Sequence, residues 1–137
     1  MEPTIQFIGK IQSALKRIDD CPLQGNENAP GAEIIIFPEF AEGIRDIAVG
    51  SEILLLTWLH KADRKILACK PRNDTKSPLT GIFSTRSPDR PNPIGIHSVE
   101  VLSISENGAI NVSGLEVIDQ TPLVDIKPLW NIENRVL

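Results

Sequence analysis

Short apolar runs, each closed off by Gly, Pro, Asn or Asp, succeed one another along the whole chain and constrain its fold more than any other feature. Thr4 to Ile11, Glu33 to Phe37, Glu52 to Leu59, Lys65 to Lys70, Gly81 to Ser84, His97 to Ser105, Ala109 to Glu116 and Leu123 to Lys127 have the β-branched content and turn-bounded length of strands. Helix is scarce. Glu39 to Ile47 predicts one or two turns after Pro38, weakened by Gly43, and Ala14 to Arg17 predicts a second short piece. The alternation from His97 to Ile104, followed by Glu106-Asn107-Gly108 and then Ile110-Asn111-Val112, predicts a hairpin with a positive-φ turn at Asn107-Gly108. Ile53 to Leu56 is uniformly apolar, as in a strand covered on both sides, although so short a run does not separate strand from helix. Many short strands in one domain cannot leave long bare edges. The expected fold is therefore mostly β, a single compact β-barrel domain over residues 1–137 with a few short helices, or else strands paired across a dimer.

At 137 residues the chain is long enough for one domain with its own core and too short for two ordinary ones. No stretch approaches the roughly 20 apolar residues of a membrane-spanning helix. The start, Met-Glu-Pro-Thr-Ile, lacks the basic and then apolar regions of a secretory signal, so a cytoplasmic protein is expected, with no membrane partner. Cys21 and Cys69 lie far apart with no CxxC or Cys/His cluster nearby, which disfavours a metal site and a disulfide scaffold and predicts core thiols. The net charge of −4 conceals an uneven distribution. Lys61, Arg64, Lys65, Lys70, Arg72, Lys76, Arg86 and Arg90 crowd one segment, against only Asp63, Asp74 and Asp89. A local anionic partner and a solvated charged face fit that run equally well.

Within this basic segment lies Gly81-Ile-Phe-Ser-Thr-Arg-Ser-Pro-Asp-Arg-Pro-Asn-Pro-Ile-Gly95. Its prolines fix φ near −65°, and Arg86 and Arg90 carry planar forks that match carboxylate or phosphate. A stiff cationic loop makes a poor core element and a good binding edge. No GxGxxG follows a strand, so a Rossmann cofactor site is not supported.

The run from Gly81 through Arg90-Pro91-Asn92-Pro93-Ile94-Gly95 resembles the central motif of the TsaA/TrmO family. Further matches come in the same order: Leu56-Thr57-Trp58-Leu59-His60-Lys61 before it, and Asp119-Gln120-Thr121-Pro122-Leu123-Val124-Asp125-Ile126-Lys127-Pro128 after it. Asp20-Cys21-Pro22-Leu23-Gln24-Gly25 resembles the short archaeal-type branch, and the longer bacterial members carry a further C-terminal domain not found in this sequence. The resemblance implies a β-barrel methyltransferase that uses S-adenosylmethionine and acts on N6 of threonylcarbamoyladenosine beside the tRNA anticodon. It also implies a homodimer with the cofactor near the subunit interface.

By family position, Pro22, Leu23, Gln24, His60, Lys61, Arg86, Ile96, Asp119, Gln120, Thr121 and Pro122 would bind the cofactor. Arg90, Asn92 and Lys127 would meet the substrate, and His60 or Asp125 would help to remove a proton from the attacking nitrogen. Lys61, Arg64, Lys70 and Arg72 suit anticodon-loop phosphates, with Phe83, Trp58, Trp130 or an arginine plane for base stacking. Gln120 departs from the family, which usually has Gly there, and Gln does not tolerate positive φ cheaply. His97 reads as a surface strand residue. A cofactor-binding module without catalysis and a small-molecule methyltransferase are the competing functions.

Overall fold

Alternation drives the architecture. The computed structural model describes residues 2–15, 31–71 and 74–130. Among the described residues eight strands are formed: β1 (Gly9–Ser13), β2 (Ala32–Ile36), β3 (Glu52–Trp58), β4 (Ala68–Cys69), β5 (Thr80–Gly81), β6 (Ile94–Ile104), β7 (Ile110–Val112) and β8 (Thr121–Pro128). All but β4 and β5 close into one antiparallel barrel in the order β1-β2-β7-β6-β3-β8, with β8 returning to β1. Closure removes the exposed edges that so many short strands would otherwise present.

The longest strand, β6, makes closure possible by serving two neighbours. Ile94 to Glu100 pair with Trp58 to Glu52 of β3, and Val101 to Ile104 pair with Val112 to Ile110 of β7 across an irregularity at Leu102. Gly95, His97, Val99 and Val101 point inward while Ile94, Ile96, Ser98 and Glu100 point out. Inside, Ile11, Ile34, Leu55, Val101, Ile110, Leu115 and Leu123 are fully buried, each contributing about 1.5–3 kcal/mol by leaving water. The β6–β7 hairpin turns at Gly108, whose φ of 87° supplies the left-handed residue, and the Asn107 carboxamide oxygen accepts from the Ala109 N–H.

Several boundaries differ from the sequence expectation. The first strand is displaced from Thr4–Ile11 to Gly9–Ser13, since pairing with both β2 and β8 begins at Gly9, where β1 approaches β2 so closely that a Cβ would lie 2.2 Å from the Ile35 carbonyl oxygen. The expected strand over Ala109 to Glu116 ends at Val112, the last residue opposite Ala32 of β2. Leu115 and Val117 still bury their side chains, so the alternation survives although the ladder stops. Lys65 to Lys70 contracts to β4, and Gly81 to Ser84 becomes β5 and a 3-10 turn over Ile82–Ser84. The helical expectation after Pro38 appears as a 3-10 segment, Pro38–Ile44. Cys69 is half-buried; of the short helical piece expected over Ala14 to Arg17, Ala14 and Leu15 form no helix, and Lys16, Arg17 and Cys21 lie outside the described residues. Among the described residues no helix is long and apolar enough to cross a membrane.

Candidate active site at one end of the barrel

Register sets which ends of the strands meet. Thr57 of β3 faces Gly95 of β6 on one side and Leu123 of β8 on the other, Ile11 of β1 faces Thr121, and Ser13 faces Ala32. The end of β3, the start of β6, the start of β8, the end of β1 and the start of β2 therefore share one mouth of the barrel. His60 and Lys61 leave β3 here, Asp119 and Gln120 enter β8 here, and the 81–93 loop feeds β6 here. Pro22, Leu23 and Gln24 lie outside the described residues, but the chain leaves β1 and re-enters β2 at this same mouth.

The 81–93 loop is braced by its own side chains. The Arg90 guanidinium turns inward, Nη1 donating to the carbonyls of Thr85 and Ser87 at 3.0 Å each and Nη2 to that of Ile82 at 3.3 Å. Buried Ile82 anchors the loop, and the Thr85 hydroxyl donates to the Ile82 carbonyl. A second clamp comes from the turn after β3. Arg64 Nε donates to the Pro91 carbonyl at 2.7 Å and Nη2 to Asn92 Oδ1 at 3.2 Å, while its guanidinium carbon lies 5.0 Å from the centroid of the Trp58 ring. Asp89 Oδ1 accepts from the Asp63 N–H, and the Leu59 N–H donates to the Pro93 carbonyl. Arg64, Arg90 and Asn92 thus all work to hold the loop. Arg86 is the exception: it is exposed and makes no hydrogen bond among the described residues.

The largest surprise is His97. Expected at the surface, it is only 7% exposed, inside the barrel just below the mouth. One ring nitrogen, Nε2, lies 2.8 Å from the buried Thr57 hydroxyl, and Nδ1 lies 2.8 Å from Glu116 Oε1. A ring with a proton on Nδ1 donates to the carboxylate, and Nε2 shares a hydrogen bond with the hydroxyl whether the ring is neutral or charged, so neither buried nitrogen is left unpaired. Gly95 makes room for this: a Cβ there would stand 2.4 Å from Thr57 Oγ1 and 2.6 Å from His97 Nε2. The signal was in the sequence, because His97 is in phase with Gly95, Val99 and Val101, the inward set of β6. Burial by itself would raise the Glu116 carboxyl. The hydrogen bond and charge of His97, a backbone N–H and the charge of Arg86 outweigh it, and the group sits below the ordinary glutamate value.

The remaining expected site residues divide between the mouth and the outer wall. The His60 imidazole is held below its ordinary value, first by partial burial and then by the neighbouring Lys61 charge. Asp119 joins β1 to β8: its N–H donates to the Leu15 carbonyl and its Oδ1 accepts from the Ser13 N–H at 2.9 Å. Gln120 has a φ of 70°, so the turn keeps the left-handed geometry of a glycine with a residue that tolerates it poorly. The buried Thr121 hydroxyl donates to the Ile118 carbonyl at 2.7 Å, and Pro122 is half-buried opposite Lys10. Ile96, Leu56 and Asp125 form one row across the outside of β6, β3 and β8, where an irregularity between Leu56 and Thr57 turns Asp125 outward. Asp125 Oδ1 accepts from the Ile126 N–H, and its Oδ2 lies 3.3 Å from Lys127 Nζ.

Fold and site together define a closed-barrel domain with a polar, loop-rimmed mouth, and comparison with known proteins gives the family. The tRNA-methyltransferase O N-terminal domain matches residues 10–133, and the chain belongs to that family. A probable S-adenosyl-L-methionine-binding protein of Methanothermobacter thermautotrophicus is 40% identical over 130 residues, spanning 95% of this chain and 92% of the relative. An S-adenosyl-L-methionine-binding protein of Archaeoglobus fulgidus is 40% identical over 120 residues, spanning 88% and 84%. The crystal structure of TrmO from Pseudomonas aeruginosa superposes with a TM-score of 0.74 at 28% identity. That match takes in 99% of this chain but only 60% of the TrmO chain.

Proposed function

We propose that this chain binds S-adenosylmethionine at the mouth of its barrel and directs methyl transfer to N6 of threonylcarbamoyladenosine beside the tRNA anticodon. One observation carries the reading: a loop braced by Arg64 and Arg90 leaves Arg86 exposed at the mouth that His60, Lys61 and Asp119 to Pro122 share. The donor set suits the cofactor. Arg86 and Lys61 offer positive charge to its carboxylate, Glu116 offers negative charge, Gln120 and Pro122 offer backbone and apolar contacts, and Ile96 offers apolar surface beside the mouth. Pro22, Leu23 and Gln24 complete the set by family position.

When bound, the cofactor supplies a methyl group activated on a sulfonium. The chain's own work is alignment, exclusion of water and handling of one proton. The 81–93 loop, braced by Arg64 and Arg90, provides a wall against which the nucleotide would align. His60 is the base of choice, since its lowered value leaves the imidazole able to accept a proton at neutral pH. Asp125 is the weaker candidate, with Oδ1 taken by the Ile126 N–H and Oδ2 beside Lys127.

The tRNA side is read in the same way. Phe83, 78% exposed and three residues before Arg86 on the loop, is the stacking surface, whereas one face of Trp58 is covered by Arg64. Lys61 and Lys65 are exposed for phosphate, Lys127 lies on the outer wall, and Arg72 lies outside the described residues. The exposed Ile94 and Ile96 give β6 an apolar outer face for a second copy, the surface on which a homodimer would form; a cytoplasmic location goes with the tRNA reading.

The test is incubation with methyl-labelled cofactor and tRNA bearing threonylcarbamoyladenosine. Label on that nucleoside is expected, and cofactor binding without incorporation would overturn the methyl-transfer reading. The names of the archaeal relatives, which specify only cofactor binding, favour a non-catalytic module as the second reading.

A further inference from the structure

Two opposite charges stand at the mouth without forming an ion pair with each other: exposed Arg86 on the braced loop and Glu116 on the segment after β7. The carboxylate is held from behind by the barrel interior. Its Oε1 is bound to His97 Nδ1 at 2.8 Å, His97 is bound in turn to Thr57 at 2.8 Å, and Thr57 and His97 are both buried. Glu116 itself remains partly open to solvent, its side chain 22% exposed. A chain of hydrogen bonds running from the barrel interior to an accessible carboxylate has no evident need in the fold, because an apolar residue at 97 would pack there without one.

We propose that Arg86 and Glu116 form a clamp for an α-amino acid zwitterion, Arg86 taking the carboxylate and Glu116 the ammonium of the cofactor's methionine portion, with His97 and Thr57 as positioning residues behind Glu116. The assignment rests on the cofactor reading above and adds to it the residue that meets the amino group. Arg86 offers a planar fork that matches a carboxylate, and Glu116 offers an acceptor whose position is fixed before the ligand arrives. Preorganisation of this kind reduces the ordering cost of binding. Asp119, the nearest alternative carboxylate in the sequence motif, already accepts the Ser13 N–H with Oδ1.

The titratable and charged groups acting on the Glu116 carboxylate are His97 of β6 and Arg86 of the loop. The test is calorimetric titration of the full chain with S-adenosylmethionine and, separately, with S-adenosylhomocysteine, which keeps the zwitterion and lacks the sulfonium charge. Glu116→Gln, which keeps an oxygen acceptor for His97, should weaken both ligands by about the same factor of ten or more, with its melting curve showing a folded protein. Equal affinity in wild type and variant would overturn the clamp, as would a loss confined to S-adenosylmethionine, which would place the carboxylate at the sulfonium instead. Absence of binding by the wild type would instead remove the cofactor reading itself. His97→Gln provides the positioning test. It should raise the pH at which acidification abolishes cofactor affinity, and an unmoved midpoint would reduce His97 to a structural role.

Discussion

Gly95→Ala is the substitution whose effect is most fully determined by the geometry. A Cβ at this position would lie 2.4 Å from Thr57 Oγ1 and 2.6 Å from His97 Nε2, roughly 1 Å inside ordinary contact. Neither neighbour can yield cheaply: Thr57 is β-branched and buried within β3, and the His97 ring is held at its other nitrogen by Glu116. The methyl therefore has to break the 2.8 Å bond between Thr57 and His97. Leaving those buried groups unpaired costs about 1–3 kcal/mol, and overpacking adds about 1–3 kcal/mol. The reduced freedom of the unfolded chain returns about 0.4–1 kcal/mol. A net loss of about 1–6 kcal/mol corresponds to a fall in Tm of roughly 3–20 °C for a chain of this size. Urea titration and thermal melts of wild type and variant measure it directly. A double-mutant cycle with His97→Ser should show coupling of at least about 1 kcal/mol, since the steric conflict with the ring is then gone. A loss below about 0.5 kcal/mol in the single variant would refute the claim that Gly95 exists to admit the Thr57–His97 bond.

Other consequences are open to measurement. Gln120→Gly relieves a left-handed residue worth about 1–2 kcal/mol against about 0.4–1 kcal/mol of added backbone entropy, so Tm should rise by roughly 2–4 °C; a fall would mean that the Gln side chain compensates for its backbone. The Glu116 carboxyl titrates below its unfolded value, so its contribution to stability is present above about pH 4.5 and vanishes as pH falls through the folded value. Glu116→Gln should accordingly flatten the acid side of the stability curve, and urea midpoints that decline in parallel with wild type would contradict this. With His60 lowered by burial and by Lys61, methyl transfer should rise with pH through a midpoint below about 6.5. His60→Asn should abolish that limb and Lys61→Met should move it partway upward; an unchanged profile in both would exclude His60 as the base. Arg64→Ala removes a cation–π contact and two hydrogen bonds to the loop, about 1 kcal/mol in all, and should expose the 81–93 segment to limited proteolysis.

Much of this was legible in the residues. Turn-bounded β-branched runs located most of the barrel strands, and Asn107-Gly108 marked the hairpin, because these are local signals written in a few adjacent side chains. Strand ends were less legible. The ladder stops at Val112 because its neighbour β2 begins at Ala32, and that is a property of closure, invisible in the Ala109 to Glu116 alternation itself. The motif around Arg86 and Arg90 identified the loop, but only three-dimensional contacts divide its two arginines into one that braces carbonyls and one left exposed. The residue type of His97 points to the surface, but its parity with Val99 and Val101 places it inside, and nothing local marks Glu116, because its partner lies 19 residues away on β6. Asp125 illustrates the opposite limit. An irregularity opposite Leu56 decides which wall it faces, and no spacing in the sequence announces that irregularity.

The most direct check on the whole account is a backbone amide NMR titration of the isotopically labelled chain with S-adenosylmethionine. Shifts concentrated at residues 60–61, 81–93, 116 and 119–122 are predicted, with the far ends of β6 and β7 around Ile104 and Ile110 unmoved. Shifts centred on that opposite end of the barrel, with the Arg86 loop silent, would contradict it.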